Sequence, residues 1–259
     1  LADMFLIWCK RGVDGFRCDA GYMIPVPAWE YIIARVRREY PETIFLLEGL
    51  GGDPAVTRQL LDAANMNWAY SELFQNYSRE QVEGYLRYAW NESSANGLMI
   101  HYAETHDNNR LAAISHTYAA MRTALSALSS VCGAFGFANG VEWFAKEKID
   151  VHESSALNWG AEENQVELIA RLNLILAIHP AFHAGAMLTC IDSGSPDGVL
   201  FLRTDSKGKD SVLVAVNLNC SQPVQISWSP SYMDLPSLDV TVQDLISGKN
   251  YDLCCTAEG

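Results

Sequence analysis

The sequence predicts an α/β fold. Between residues 1 and 185, short apolar segments alternate with amphipathic helical ones, the order that parallel strands joined by right-handed crossovers produce. From 186 to 259 the texture changes to β-branched segments separated by Gly, Pro, Ser, Asn and Asp with no helix between them, which predicts a small antiparallel domain of sandwich type. The chain has 259 residues, 49% of them hydrophobic, enough to bury the core of both parts.

The elements follow in order. The opening "LADMFLIWCKRG" has an apolar run but neither a preceding basic region nor a small-residue cleavage site. It reads as a polar-faced helix running into a strand, so the chain is expected to open in the middle of a fold. "VDGFRC" is the first strand. "AWEYIIARVRREY" places Trp29, Ile32, Ile33 and Val36 on one helical face. "TIFLLE" (43–48) is a second buried strand, followed by a Gly-Gly turn and a helix near 54–64. "WAYSEL" (68–73) is a weaker strand. "REQVEGYLRYAW" is helical, "LMIHYAETHD" (98–107) is apolar and then polar, and Leu111, Ile114, Tyr118, Met121, Leu125 and Leu128 mark a further helix. "VCGAFGFANG" (131–140) reads as a small-residue strand, and "QVELIARLNLILAIH" closes the α/β part as a helix. Beyond 185, "GVLFLRT", "SVLVAVNLN", "PVQISWS" and "LDVTVQDLI" are the expected strands.

Composition excludes several partners. A formal net charge of −13, from 31 acidic and 18 basic residues, argues against nucleic acid and anionic lipid and suits a neutral ligand such as a sugar. No uninterrupted apolar run is long enough to span a membrane. The seven cysteines include no CxxC pair and several sit in apolar runs. They read as free thiols in a reducing, cytoplasmic setting, with no zinc site and Cys254-Cys255 incidental.

The chemistry is written at strand ends. In "GVDGFRCDAGYM", side chains two apart share a face, so Arg17 and Asp19 point together while Phe16 and Cys18 point away. A guanidinium beside Asp19 favours its ionised form, which a carboxylate nucleophile needs; the pair can equally be a structural ion pair. "TIFLLEG" ends in Glu48 after four apolar residues, where apolar walls would help a carboxyl keep its proton. "ETHDNNR" offers His106, Asp107 and Arg110. An ionised carboxylate facing a protonated one is the equipment of a retaining glycosidase.

"GVDGFRCDA", "TIFLLEG" and "ETHDNNR" resemble, in order, three signature regions of the α-amylase family, glycoside hydrolase family 13. The resemblance implies strands 4–8 of a TIM-type (β/α)8 barrel over 1–185, followed by the family's C-terminal β-domain over 186–259. It implies Asp19 as nucleophile, Glu48 as acid/base and Asp107 as the carboxylate gripping sugar hydroxyls. Arg17, His106, Arg110 and Tyr22 would bind substrate around them. "GFANGVEWF" resembles the end of the eighth strand. The implied activity is retaining hydrolysis or transglycosylation of an α-glucan with no cofactor. A faint likeness of "AKEKIDVHESSALNW" to maltosyltransferases that use maltose 1-phosphate keeps a transferase open. The residues are also compatible with a scaffold that only binds carbohydrate, and with an unrelated α/β enzyme whose strand-end acids hold a metal.

Three features depart from that family. Tyr22 and Met23 stand where plain α-amylases carry Lys-His, which speaks against the usual calcium site in this segment. "ETHD" replaces the common Asn-His-Asp. The first three barrel strands have no counterpart, so the open edges are expected to drive self-association. The loop from about 140 to 164, with Trp143, Phe144, His152 and Trp159, either lines sugar subsites or packs its own aromatics. His179 and His183 flank Pro180 and read as structural.

Overall fold

Hydrophobic periodicity explains the elements of the computed structural model, which describes residues 1–153, 157–232 and 239–254. Helix α1 is Ala2–Lys10 and strand β1 is Gly15–Cys18, followed by α2 (Val26–Arg37), β2 (Ile44–Leu47), α3 (Pro54–Asp62), β3 (Trp68–Tyr70), α4 (Arg79–Ala95) and β4 (Leu98–Ile100). The four strands form one sheet in the order β1-β2-β3-β4, and every pair is parallel. Alternation in β2 buries Phe45 and Leu47 completely, and Ala69 and Met99 continue the buried row on β3 and β4. The predicted face of α2 lies inward, with Trp29, Ile32, Ile33 and Val36 buried, and α3 buries Leu60 and Leu61. Asp53 caps α3 by accepting the Ala55 N–H at 2.8 Å.

The chain divides into two units. The first comprises Leu1–Glu72 with Arg87–His101, and the second Leu73–Leu86 with Tyr102–Gly259. The first unit holds the parallel sheet. Phe5, Phe16 and Phe45 meet edge-on or tilted, with centroids 4.8–5.8 Å apart, and Trp29 donates its indole N–H to the Gly21 carbonyl at 2.8 Å. Helix α1 departs from expectation. Met4, Ile7 and Trp8 on its outer face are about half exposed, so that face is apolar rather than polar.

The second unit contains α5 (His116–Leu128), α6 (Val166–Ile178), a three-stranded antiparallel sheet and a two-stranded one. The first sheet is β5 (Met187–Ile191), β6 (Gly198–Thr204) and β7 (Ser211–Asn217); the second pairs β8 (Asp239–Gln243) with β9 (Asn250–Cys254). One cluster packs Leu125 of α5 against Val199 and Phe201 of β6, and a second joins α6 to Ala181 and Phe182. The rings of His179 and His183 bond local backbone at the end of α6, at 3.3 Å to the Ala181 N–H and 3.0 Å to the Ala177 carbonyl.

Several local expectations are corrected. Residues 131–140 do not form a strand: a 3-10 turn at Val131–Gly133 puts Cys132 at φ 52° and Gly133 at φ 72°, and two left-handed residues in succession cannot continue a pleat. Helix α5 starts at His116 because Ser115 caps it through the Tyr118 N–H, so Leu111 belongs to a preceding 3-10 turn and Ile114 is exposed. "PVQISWS" joins no ladder, while β5 and β9 form outside the expected strands.

Arg203 of β6 is fully buried beneath the end of α5. Its Nη1 donates to the Leu128 and Ser130 carbonyls (3.1 and 2.6 Å), its Nε to the Ala181 carbonyl (3.0 Å), and the guanidinium lies 4.4 Å from the Phe182 ring centroid. Burial lowers its pKa to about 10. Carbonyls at a helix C-terminus carry partial negative charge and help hold this cation. Replacing Arg203 by Ala strands those buried acceptors, and denaturant unfolding should show a loss of about 3 kcal/mol or more.

Candidate active site

The parallel ladder sets the site of the first unit. Cys18 is registered against Leu47, and the Glu48 N–H bonds the Cys18 carbonyl at 3.0 Å. Asp19 and Glu48 are the next residues on each strand, so their backbones stand one interstrand spacing apart, about 4.8 Å. The turn that follows locks them further. The Ala20 N–H donates to Glu48 Oε2 at 2.7 Å, and the Gly21 N–H donates to the Glu48 carbonyl at 3.1 Å. Ala20 adopts φ 43°, the left-handed conformation that swings this turn across the end of β2.

Arg17 and Asp19 share a face as expected and form an ion pair, with the Asp19 side chain 78% exposed. The Arg17 guanidinium also lies 5.7 Å from the Tyr70 ring centroid. Partial burial opposes its charge, but hydrogen bonds to Tyr70 and Asp19 outweigh that and raise its pKa above the ordinary value. Arg17 is thus held from β3 while it holds Asp19. Cys18, on the opposite face, is 5% exposed, and burial raises its thiol to about 12, against a smaller pull from Arg17.

Glu48 is half-buried, and its carboxyl has polar partners that its apolar strand did not predict. Its carboxylate accepts two backbone N–H groups, Ala20 at Oε2 and Leu50 at Oε1 (3.0 Å). Tyr22 packs its ring against Gly52, where an added Cβ would lie 3.0 Å from the ring. Glu72, two residues beyond β3, accepts the Gly51 N–H. Sequence reasoning misses Tyr70 and Glu72 although a signal is present: they are two apart at a strand end, the same spacing as Arg17 and Asp19.

His106, Asp107 and Arg110 belong to the second unit. Asp107 lies seven residues past β4 in a turn tied by Thr105, whose Oγ1 donates to Asn108 Oδ1 at 2.6 Å and accepts the Asp107 N–H at 3.3 Å. The Asp107 side chain is 72% exposed and meets His106 Nε2 at 3.4 Å. Arg110 corrects the expectation of a substrate contact. It is 1% exposed, and its guanidinium donates to Glu104 Oε1 (2.7 Å), the Asn139 carbonyl (2.6 Å) and the Glu147 carbonyl (3.2 Å). The other oxygen of Glu104 caps the Leu111 N–H at 2.6 Å. The unusual Glu of "ETHD" is therefore the counterion of Arg110.

In the loop near 140–164, Phe144 is buried and stacks on His116 at 4.3 Å, which makes it packing rather than a sugar platform. His116 also meets Glu163 at 3.0 Å. Trp143 lies 5.4 Å from Trp159, and Trp159 is 78% exposed. His152 is exposed. Part of "AKEKIDVHESSALNW", and Cys255, lie outside the described residues.

The Cys18 environment gives a direct check. Native chain at pH 8 should incorporate iodoacetamide at exposed Cys132 and not at Cys18, as read by peptide mass spectrometry. An unfolded thiol ionises near 9.0 and the folded one near 12, so above pH 9 the unfolded state sheds its proton first. Stability should then fall as pH rises through that window, and Cys18→Ala should flatten the decline.

Comparison with known proteins gives two sets of findings. The chain is 26% identical over 229 residues to the α-1,4-glucan:maltose-1-phosphate maltosyltransferase of Rhodospirillum rubrum, covering 85% of this chain and 33% of that one. With the protein of the same name from Arcanobacterium haemolyticum it shares 28% over 274 residues, covering 95% and 39%. The chain thus spans about a third to two-fifths of the length of these curated relatives. Among solved structures, an α-amylase from Lactobacillus plantarum matches with TM-score 0.73 at 18% identity, covering 97% of this chain and 61% of that one. An α-amylase from Anoxybacillus matches with TM-score 0.77 at 17% identity, covering 97% and 59%. No family model matches. The structural likeness bears out a partial α/β barrel, and both sets agree with the resemblance read from the three strand ends. Among the described residues, no helix is long and apolar enough to cross a membrane.

Proposed function

We propose that this chain is a portion of an α-amylase-family enzyme, comprising the part of the barrel from strand 4 onward and the C-terminal β-domain, and that it works on α-glucans by double displacement. The observation that carries the reading is the placement of Asp19 and Glu48 on adjacent parallel strand ends, locked by the Ala20 N–H. One interstrand spacing is compatible with the carboxyl separation of about 5–5.5 Å typical of retaining enzymes. Asp19, exposed and paired with Arg17, attacks the anomeric carbon and forms a glycosyl ester as the glycosidic C–O bond breaks. Glu48 delivers a proton to the leaving oxygen, since each carboxyl oxygen keeps a second lone pair beside its backbone N–H partner. The carboxylate left behind then takes a proton from water or an acceptor hydroxyl as that oxygen displaces Asp19. Asp107, with His106, grips sugar hydroxyls, and exposed Trp159 offers a flat apolar face for a sugar ring. The scheme draws on no cofactor.

The names carried by the sequence relatives favour one form of this chemistry. In it the leaving group is the phosphate of maltose 1-phosphate and the acceptor is the 4-hydroxyl of an α-1,4-glucan. The free thiols among the described residues support a reducing, cytoplasmic setting. The chain is then expected to release inorganic phosphate from maltose 1-phosphate only in the presence of an acceptor glucan, or to cleave maltoheptaose if it hydrolyses. Asp19→Asn and Glu48→Gln should each lower either rate by about three orders of magnitude or more while circular dichroism stays unchanged. Turnover that survives Asp19→Asn would refute its role, and carbohydrate binding without turnover in the wild type would support a scaffold.

Self-association belongs to the same reading. Strand β1 is an edge of the parallel sheet, and α1 beside it in sequence leaves Leu1, Met4, Ile7 and Trp8 substantially exposed. A second copy of this chain is the proposed cover. Light scattering at micromolar concentration should give a mass above the monomer, and Trp8→Glu should reduce it; a monodisperse wild-type monomer counts against the proposal.

A further inference from the structure

The Gly-rich turn after β2 is fastened from β3. Glu48 Oε1 accepts the N–H of Leu50, the first turn is closed by the Gly52 N–H on the Gly49 carbonyl at 3.0 Å, and Gly51 stands at φ 75°. Between these bonds the Gly51 N–H points to Glu72. Gly49 is confined by Leu47 and Thr57, and Gly52 by the Tyr22 ring. Gly51 by contrast has open space around it, so its bond to Glu72 is the contact that fixes the peptide plane between Leu50 and Gly51. In a turn this rich in glycine the backbone has many accessible conformations, and an outside acceptor is needed to select one.

We propose that Glu72 is a positioning residue for Glu48. By accepting the Gly51 N–H it sets the turn that aims the Leu50 N–H at the Glu48 carboxylate, so the orientation of Glu48 depends on a strand that carries none of the expected catalytic acids. The proposal rests on reading Glu48 as the acid/base. A parallel arrangement supports it: Tyr70, two residues earlier, bonds Arg17, which pairs with Asp19. The end of β3 thus reaches the fastening of both acids, one through Arg17 and one through the turn.

The role requires an acceptor oxygen and not a charge, which separates it from a third catalytic acid. Glu72→Gln keeps an acceptor; Glu72→Ala and Glu72→Met remove it. In the full 259-residue chain, NMR should show the amide protons of both Gly51 and Leu50 moving upfield in Glu72→Ala. Their exchange with solvent should quicken about tenfold or more. Glu72→Gln should leave the Leu50 resonance in place. In turnover assays Glu72→Ala should lower kcat by about 10- to 100-fold with KM within about twofold, and Glu72→Gln should restore most of the rate. Glu72→Met repeats the test should the alanine variant unfold. The proposal is overturned if Gly51 moves but Leu50 does not, or if Glu72→Gln behaves like Glu72→Ala. Absence of turnover in the wild-type chain would sink the enzymatic reading separately, and the Leu50 resonance would still decide whether Glu72 and Glu48 are coupled.

Discussion

The register of β1 against β2 is the constraint on which the candidate chemistry depends. Parallel pairing of Cys18 with Leu47 leaves Asp19 and Glu48 as the next residues on neighbouring strands. A slip of one residue would send Asp19 to the face that Cys18 occupies and would break the bond from the Ala20 N–H to Glu48. The apolar faces of the same strands prevent that slip, because Phe45 and Leu47 have no accessible surface and Cys18 has almost none. Burial on one face of the ladder therefore sets the geometry on the other.

Side chains that do no chemistry hold the groups that would. Arg17 connects Tyr70 to Asp19, and Glu72 connects β3 to the turn beyond Glu48. In the second unit the Glu104–Arg110 pair is buried, and the guanidinium gathers carbonyls from residues 139 and 147. A buried charge of this kind is costly to leave unpaired, so each partner strongly constrains the other and the loops they join. Arg203 is likewise buried and collects carbonyls where α5 ends. The region around Asp107 is thus fastened by its flanking residues while Asp107 itself stays exposed.

Legibility in the sequence follows the range of the interaction. The amphipathic face of α2 and the alternation of β1 and β2 are readable because they are local patterns of period 3.6 and 2. The pairing of Arg17 with Asp19 is readable for the same reason. The segment 131–140 misleads because its apolar content suits a strand while its backbone, left-handed at Cys132 and Gly133, does not. Arg110 misleads because an arginine beside a His-Asp pair is as well suited to a counterion six residues away as to a ligand, and only its burial tells the two apart.

The sequence by itself determined the alternation of strands and helices, the change to β-structure beyond 185, and the strand ends on which Asp19 and Glu48 stand. These follow from side-chain periodicity and from turn residues, which act over a few positions along the chain. Only the tertiary structure decided which groups hold those acids: two backbone N–H groups on Glu48, Tyr70 behind Arg17, and Glu72 on Gly51. Each of these contacts joins residues that the strands of one sheet bring together or a tight turn folds back. A hydrogen bond depends on ångström-scale position that no residue pattern along a single strand encodes.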